Sequence, residues 1–261
     1  MSSDALLIFV VTYNAETHIA STLDRIDRSW LEQQQYYILI IDDASTDATV
    51  RICTSYQSEH PDLNMLILQN EENLGYGGNQ KRGYQYALDN GYGLVVLLHG
   101  DGQYAPEFLD QMTSPIIDGE ADCILGSRML EKSAALKGNM PLYKWLGNQV
   151  LTTIQNAILG TRLAEFHTGY RAFRVAALQA IPFRENSDYF DFDTEIIIQL
   201  LDTGARFREI SIPTFYGDEI SYVNGFKYAW LILWATLKSR LVKRGWLADL
   251  RFDYDTIKKG R

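Results

Sequence analysis

Three short segments carry most of the residues that could do chemistry. His99-Gly100-Asp101-Gly102-Gln103 sets a carboxylate between two glycines, with an imidazole and an amide on either side. Hard and borderline donors of this kind suit a divalent ion that a diphosphate can share, and the glycines leave room for a bulky ligand beside the backbone. A lone Asp in a turn is the structural alternative. Asp42-Asp43 follows an apolar run and precedes Ser45 and Asp47. Helix capping needs only one such side chain, so the second carboxylate is spare for a base N–H or a ribose hydroxyl. Asn73-Leu74-Gly75-Tyr76-Gly77-Gly78-Asn79 is glycine-rich, with Lys81 and Arg82 just beyond. It lacks the GxxxxGK[ST] of a P-loop, which leaves two readings. One is a tight strand-to-helix turn. The other lets the Gly77 and Gly78 backbone approach a ligand, with Lys81 at the helix start.

The elements that must position these residues follow from periodicity. Apolar runs at 6–13, 36–41, 65–68, 94–98 and 122–126 read as buried strands. Between them lie helical patterns: Ile19, Leu23, Ile26 and Trp30 on one face, then a helix through Val50, Ile52 and Tyr56, and helices over 78–88 and 106–117. Strands alternating with helices predict βαβ units and a mostly parallel sheet. Ligands of such sheets sit beyond the carboxyl ends of the strands. Each predicted strand exits into polar or glycine-rich residues: Thr12-Tyr13-Asn14-Ala15-Glu16, the Asp42/Asp43 pair, Asn73 to Asn79, His99 to Gln103, and Gly126-Ser127-Arg128. Five such exits on one edge favour a nucleotide site. An acidic pair after a strand also occurs in phospho-acceptor receiver domains, but there it closes the first strand of a shorter domain. Here it closes the second.

Beyond residue 130 the β/α rhythm weakens. A glycine-containing loop with Lys132 and Lys137 precedes a helix over 143–159, and a helix over 190–201 and a strand over 207–212 follow. Arg128, Arg171 and the lysines at 132, 137 and 144 are candidates to grip phosphate, Arg in bidentate fashion, against a surface salt-bridge alternative. Arg128, at a strand exit, is the best placed. Asp191, Asp193 and Glu195 suit an acid-rich helix N-terminus. They are also the candidates for a general base facing an acceptor.

The composition bounds the function. Of 261 residues, 46% are hydrophobic and 22% charged, which excludes disorder, and the net charge is −9. Residues 1–220 carry 15 Lys and Arg against 30 Asp and Glu, whereas residues 221–261 carry 9 against 3. An acidic body argues against a nucleic-acid partner. Cys53 and Cys123 are far apart and outside any metal spacing, so a reducing, cytoplasmic setting is expected. No secretory signal or membrane span is evident. The segment Phe226 to Arg244 interleaves large apolar residues with Lys227, Lys238, Arg240, Lys243 and Arg244. It suits an amphipathic helix lying on an anionic membrane face, packing against the domain's own sheet or dimerising being the alternatives.

Together these segments resemble the family 2 glycosyltransferases of the GT-A fold, in the branch similar to dolichol-phosphate mannosyltransferase. The resemblance spans about residues 6–225. It rests on Val11 to Glu16, Ile41 to Thr49, Asn73 to Asn79, Gly100 to Glu107, Gly126 to Arg128 and Phe166 to Phe173. It implies a GT-A domain over 1–225, a Rossmann-like and mostly parallel sheet flanked by helices, followed by a basic amphipathic appendage over 226–261. It also implies an inverting hexosyltransferase of cell-envelope synthesis. The donor would be a nucleotide-diphospho-sugar of the GDP-mannose or UDP-glucose type and the acceptor a polyprenyl phosphate. Transfer to a glycan hydroxyl and a non-catalytic sugar-nucleotide module are the alternatives. By this resemblance Thr12, Tyr13, Glu16 and the Asp42/Asp43 pair bind the nucleoside, with Asn14, Asn73, Gly77 and Lys81 beside them. Asp101 and Gln103 coordinate manganese or magnesium, and Arg128 faces the acceptor phosphate. The family usually has Asp-x-Asp where this chain has His99-Gly100-Asp101, so either His99 is a neutral ligand or Asp101 and Gln103 suffice.

Overall fold

The computed structural model describes residues 5–131, 135, 138, 140–213 and 224–254. The loop lysines 132 and 137 lie outside the described residues. Seven strands form one sheet in the order β3-β2-β1-β4-β6-β5-β7: β1 Leu6–Thr12, β2 Tyr36–Asp42, β3 Met65–Gln69, β4 Leu94–His99, β5 Cys123–Ser127, β6 Arg171–Arg174 and β7 Phe207–Ser211. All pairings are parallel except those of β6, which runs antiparallel to both β4 and β5. The five strands expected in the first half are present. Strand β6 escapes sequence reading because it is four residues long, flanked by arginines, and joined to the sheet only through distant partners.

The helices are α1 Ile19–Asp24, α2 Arg28–Leu31, α3 Thr49–Glu59, α4 Gly75–Asp89, α5 Leu109–Ile117, α6 Leu142–Leu159, α7 Val175–Gln179, α8 Phe192–Asp202 and α9 Gly225–Lys243. The first helical pattern splits in two because the Asp27 side chain accepts from the Ser29 and Trp30 amides and caps a second start. Buried strand residues alternate between two cores. Leu6, Ile8, Val10, Ile38 and Ile40 face one side with α1, α3 and α5, and Leu7, Phe9, Val11, Leu39 and Ile41 face the other with α4 and α8. Continuous apolar runs are what a sheet covered on both faces requires. Cys53 and Cys123 are free thiols, one in each core.

Strand order reverses around β1: β2 and β3 lie on one side of it and β4 on the other. The crevice at the β1 and β4 exits is therefore where sheets of this class place their ligands. The C-terminal helix α9 packs against α6 and α8, and beyond it Phe252 is buried. The tail is thus seated on the body.

Candidate active site

The β1 and β2 exits are latched to each other. The Asn14 amide donates to Ser45 Oγ at 2.8 Å, Asn14 Oδ1 accepts from the Thr46 amide at 2.9 Å, and Glu16 Oε2 accepts from the Ala48 amide at 2.8 Å. Asn14 and Ala44 hold positive φ angles of 48° and 58°. Left-handed backbone in non-glycine residues is uncommon and persists where surrounding bonds enforce it. Asn14 and Glu16 thus brace the edge.

The two carboxylates divide the work. Asp42 is fully buried and accepts from the Ser45 amide at 2.9 Å, from Ser45 Oγ and from Thr12 Oγ1. It orders its own turn. Asp43 Oδ1 accepts from Asn70 Nδ2 at 2.6 Å and from the Leu74 amide at 2.8 Å, and Asn73 Nδ2 donates to the Asp43 carbonyl at 3.1 Å. Asp43 Oδ2 has no hydrogen-bond partner among the described residues. Of the pair, Asp43 is the one with an oxygen that no described residue engages, and the exposed ring of Tyr13 stands beside the same exit.

The glycine-rich segment corrects the expectation made for it. Helix α4 begins at Gly75, so Gly77 and Gly78 lie in its first turn. The Gly77 amide donates to the Asp188 carbonyl at 2.8 Å, and a Cβ on Gly77 would stand 2.3 Å from the Ser187 carbonyl oxygen. These glycines admit the chain's own 187–188 loop. Lys81 is likewise taken by Asp188 at 2.7 Å.

At the β4 exit, Asp101 Oδ1 accepts from the Gln103 amide at 3.0 Å, which folds the loop, and both residues are part-exposed there. His99 is boxed by Tyr76 and Tyr104, its ring centroid 5.6 and 4.9 Å from theirs. Burial depresses its basicity, so the ring is neutral near pH 7. Tyr76 Oη donates to Asp193 Oδ2 at 3.0 Å and lies 3.2 Å from His99 Nε2. The tyrosine has one proton, and the carboxylate takes it. His99 must then donate from Nε2 and keep its lone pair on Nδ1. The donors at this exit are thus one carboxylate, one amide and one imidazole lone pair. Among the described residues no three His, Cys, Asp or Glu side chains converge closely enough to hold an ion by themselves. The set fits a divalent ion whose coordination is completed by diphosphate oxygens.

Arg171 is not a phosphate grip. It is fully buried, donating to the carbonyls of Thr168 at 2.8 Å, Asp193 at 2.7 Å and Phe166 at 3.2 Å, and pairing with the Asp193 carboxylate at 3.2 Å. Asp193 also accepts from Gln80 Nε2 at 3.0 Å. The pair is a strut that holds Tyr76, and through it His99. Sequence reading missed Tyr76, whose signal was its place between Gly75 and Gly77.

Arg128 sits at the β5 exit with its guanidinium on Glu165, Nε at 3.0 Å from Oε1, and on the His167 carbonyl at 3.0 Å. Glu165 is fully buried. Burial opposes its charge, but Arg128 outweighs it and holds the carboxyl below its ordinary range. Asn148 of α6 adds a bond at 2.9 Å. His167 Nδ1 lies 2.9 Å from Tyr228 Oη of α9, and burial pushes the imidazole down to about 4. The second turn of α6 and the first turn of α9 are therefore tied to the Arg128 cluster. Lys144 lies in the first turn of α6.

The acidic trio is engaged by protein partners. Asp193 pairs with Arg171, and Glu195, raised to about 7 by burial against the pull of Arg251, accepts from the Ser187 amide at 2.7 Å and pairs with Arg251 at 2.5 Å. Asp191 accepts from Ser187 Oγ at 2.8 Å.

Known proteins are similar to this chain in sequence and in fold. The chain is 26% identical over 251 residues to the undecaprenyl-phosphate mannosyltransferase of Micrococcus luteus, covering 90% of this chain and 98% of that one. It is 26% identical over 235 residues to the UDP-N-acetylglucosamine–dolichyl-phosphate N-acetylglucosaminyltransferase of Methanococcus voltae, covering 86% and 91%. In fold it resembles mannosyl-3-phosphoglycerate synthase from Rubrobacter xylanophilus, with TM-score 0.70 at 16% identity over 95% of this chain and 77% of that one. It also resembles glucosyl-3-phosphoglycerate synthase from Mycobacterium tuberculosis in complex with Mn2+, UDP and phosphoglyceric acid. There the TM-score is 0.66 at 13% identity, over 90% and 78%. The profile of glycosyl transferase family 2 matches residues 7–181, two-thirds of the sequence and all the strand exits described above, and the chain belongs to that family.

Proposed function

We propose that this glycosyltransferase moves a hexose, with inversion, from a nucleotide-diphospho-sugar of the GDP-mannose or UDP-glucose type to a polyprenyl phosphate at a cytosolic membrane face. Asp43 Oδ2, Tyr13 and Thr12 take the nucleoside, within the frame that Asn14, Glu16, Asp42 and Asn73 hold. Asp101, Gln103 and His99 Nδ1 hold manganese or magnesium. When bound, that ion stabilises the charge developing on the departing diphosphate. Arg128, oriented by Glu165, receives the acceptor phosphate at the exit of β5.

The observation that carries the acceptor class is the engagement of Asp193 and Glu195 in ion pairs with Arg171 and Arg251. A hydroxyl acceptor needs a general base to take its proton. A phosphate monoester is already ionised near neutral pH and needs none. The names of the Micrococcus and Methanococcus relatives agree with a lipid phosphate. Asp191, outside these pairs, is the one member of the trio able to serve a hydroxyl, so Asp191→Asn separates the readings. Unchanged transfer to a polyprenyl phosphate is expected. Loss of transfer with donor affinity retained would point to the glycan-hydroxyl acceptor. Donor binding with no transfer to either acceptor in the wild type would leave only a binding module.

A further inference from the structure

Helices α6 and α9 are built inside out. Helix α6 buries Asn148, Thr152 and Gln155 and turns Leu146, Val150 and Ile154 outward, with Val150 still 50% exposed. Helix α9 buries Thr236 and Ser239 beside Ile232 and Ala235, and exposes Phe226 (94%), Trp230 (69%) and Trp234. A water-facing helix does the reverse. Most of the buried polar groups bond at home: Thr152 donates to Asn148, Gln155 Nε2 to Thr236, Thr236 to the Ile232 carbonyl and Ser239 to the Thr236 carbonyl, while Gln155 Oε1 has no partner among the described residues. Small and polar residues between helices with apolar residues outside is the packing of helices in lipid. Yet no helix among the described residues is long and apolar enough to cross a membrane. The two helices also run side by side in the same direction. Asn148 and Tyr228 meet the same Arg128 cluster, and Gln155 reaches Thr236.

We propose that α6 and α9 together form a face that inserts into one leaflet of an anionic bilayer, lying in the interface with the Arg128 cluster at headgroup level. This rests on the lipid-phosphate reading above and adds to it the half of the surface, α6, that the basic tail does not contain. Neither helix carries a carboxylate, in a chain whose net charge is −9. Lys227 and Arg244 bracket the aromatic stripe of α9, the ammonium 4.5 Å from the Tyr189 ring and the guanidinium 5.6 Å from that of Trp246. They stand roughly 26 Å apart along the axis at about 1.5 Å per residue. Cations at the ends of an apolar stripe reach anionic headgroups while the rings sink below them. A two-fold pairing with a second copy would set cation-bearing, carboxylate-free helices against themselves, so the bilayer is the better complement.

Flotation of the full chain on phosphatidylglycerol-containing vesicles tests this. Wild type is expected to float with them, less on pure phosphatidylcholine and less in high salt. Leu146→Glu with Val150→Glu on α6, and separately Trp230→Glu on α9, are each expected to weaken flotation about tenfold or more. Both should leave the melting temperature and transfer to a short, water-dispersed prenyl phosphate unchanged. Absence of wild-type flotation overturns the proposal. So does unchanged flotation of the α6 variant, or a lipid-free dimer that either variant converts to monomer. Flotation without transfer to any prenyl phosphate would remove the acceptor reading and leave the face standing.

Discussion

The β4 exit and the α6–α9 pair handle polarity in opposite ways. At the β4 exit, charge and hydrogen-bonding groups are brought into the interior and matched to one another, so that the candidate ligands Asp101 and His99 are held in fixed positions. On α6 and α9 polar groups are also inside and most are hydrogen-bonded, but the outer surface is apolar and no described residue covers it. The first arrangement fixes geometry and the second offers adhesion. Preorganisation therefore costs stability when a partner is removed from the strut, whereas the outer face should be nearly indifferent until lipid is present.

That contrast is open to measurement. The largest loss is expected for Arg171→Met, which leaves the Asp193 carboxylate buried without its ion pair: about 3–5 kcal/mol by chemical denaturation. A loss under about 1 kcal/mol would mean the strut is not what holds this edge. Asp101→Asn, on the same edge but facing the crevice, should lower transfer by about 10²–10³-fold. Its unfolding free energy should stay within roughly 0.5 kcal/mol of wild type. Equal losses of activity and stability would erase the distinction between strut and ligand.

A smaller effect is expected from acid. The His167 imidazole, normally near 6.5, is held down to about 4 by burial, so below pH 6.5 the unfolded chain takes up a proton that the folded chain refuses. Its contribution is complete above pH 6.5 and is lost as pH falls toward 4, on the order of 2 kcal/mol between pH 7 and 5. The pH dependence of unfolding should be flatter by that amount in His167→Gln. The smallest change is predicted for Leu146→Ser on the outer face of α6, within about 0.5 kcal/mol in the absence of lipid. A cost above 2 kcal/mol would show that face to be covered by protein.

The nucleotide-side half was legible in the sequence because its strands are continuous apolar runs covered on both faces. Their exits end in residues whose spacing is local. Asp42, Asp43, Asp101 and Arg128 could be named as candidates without a structure. Their division of labour could not. Asp42 and Asp43 are adjacent in sequence, and only the partners at Thr12, Ser45, Asn70 and Leu74 separate the one that orders a turn from the one that keeps an oxygen. Gly77 read as room for a ligand because the 187–188 loop that fills it lies more than 100 residues away. Arg171 read as a phosphate grip because a buried arginine and an exposed one are the same letter, and burial follows from an antiparallel strand too short to show a period.

The acidic body and basic tail, the α/β order and the residues at the carboxyl edge were determined by the sequence, since each depends on composition or on periods of a few residues. Tertiary structure alone decided the rest: that Tyr76 and Asp193 fix which nitrogen of His99 keeps its lone pair, and that Glu165 holds Arg128. It also decided that α6 and α9 bury their polar faces. These depend on which distant groups share a low-dielectric interior, where an unpaired polar atom is costly and a satisfied one is held in place.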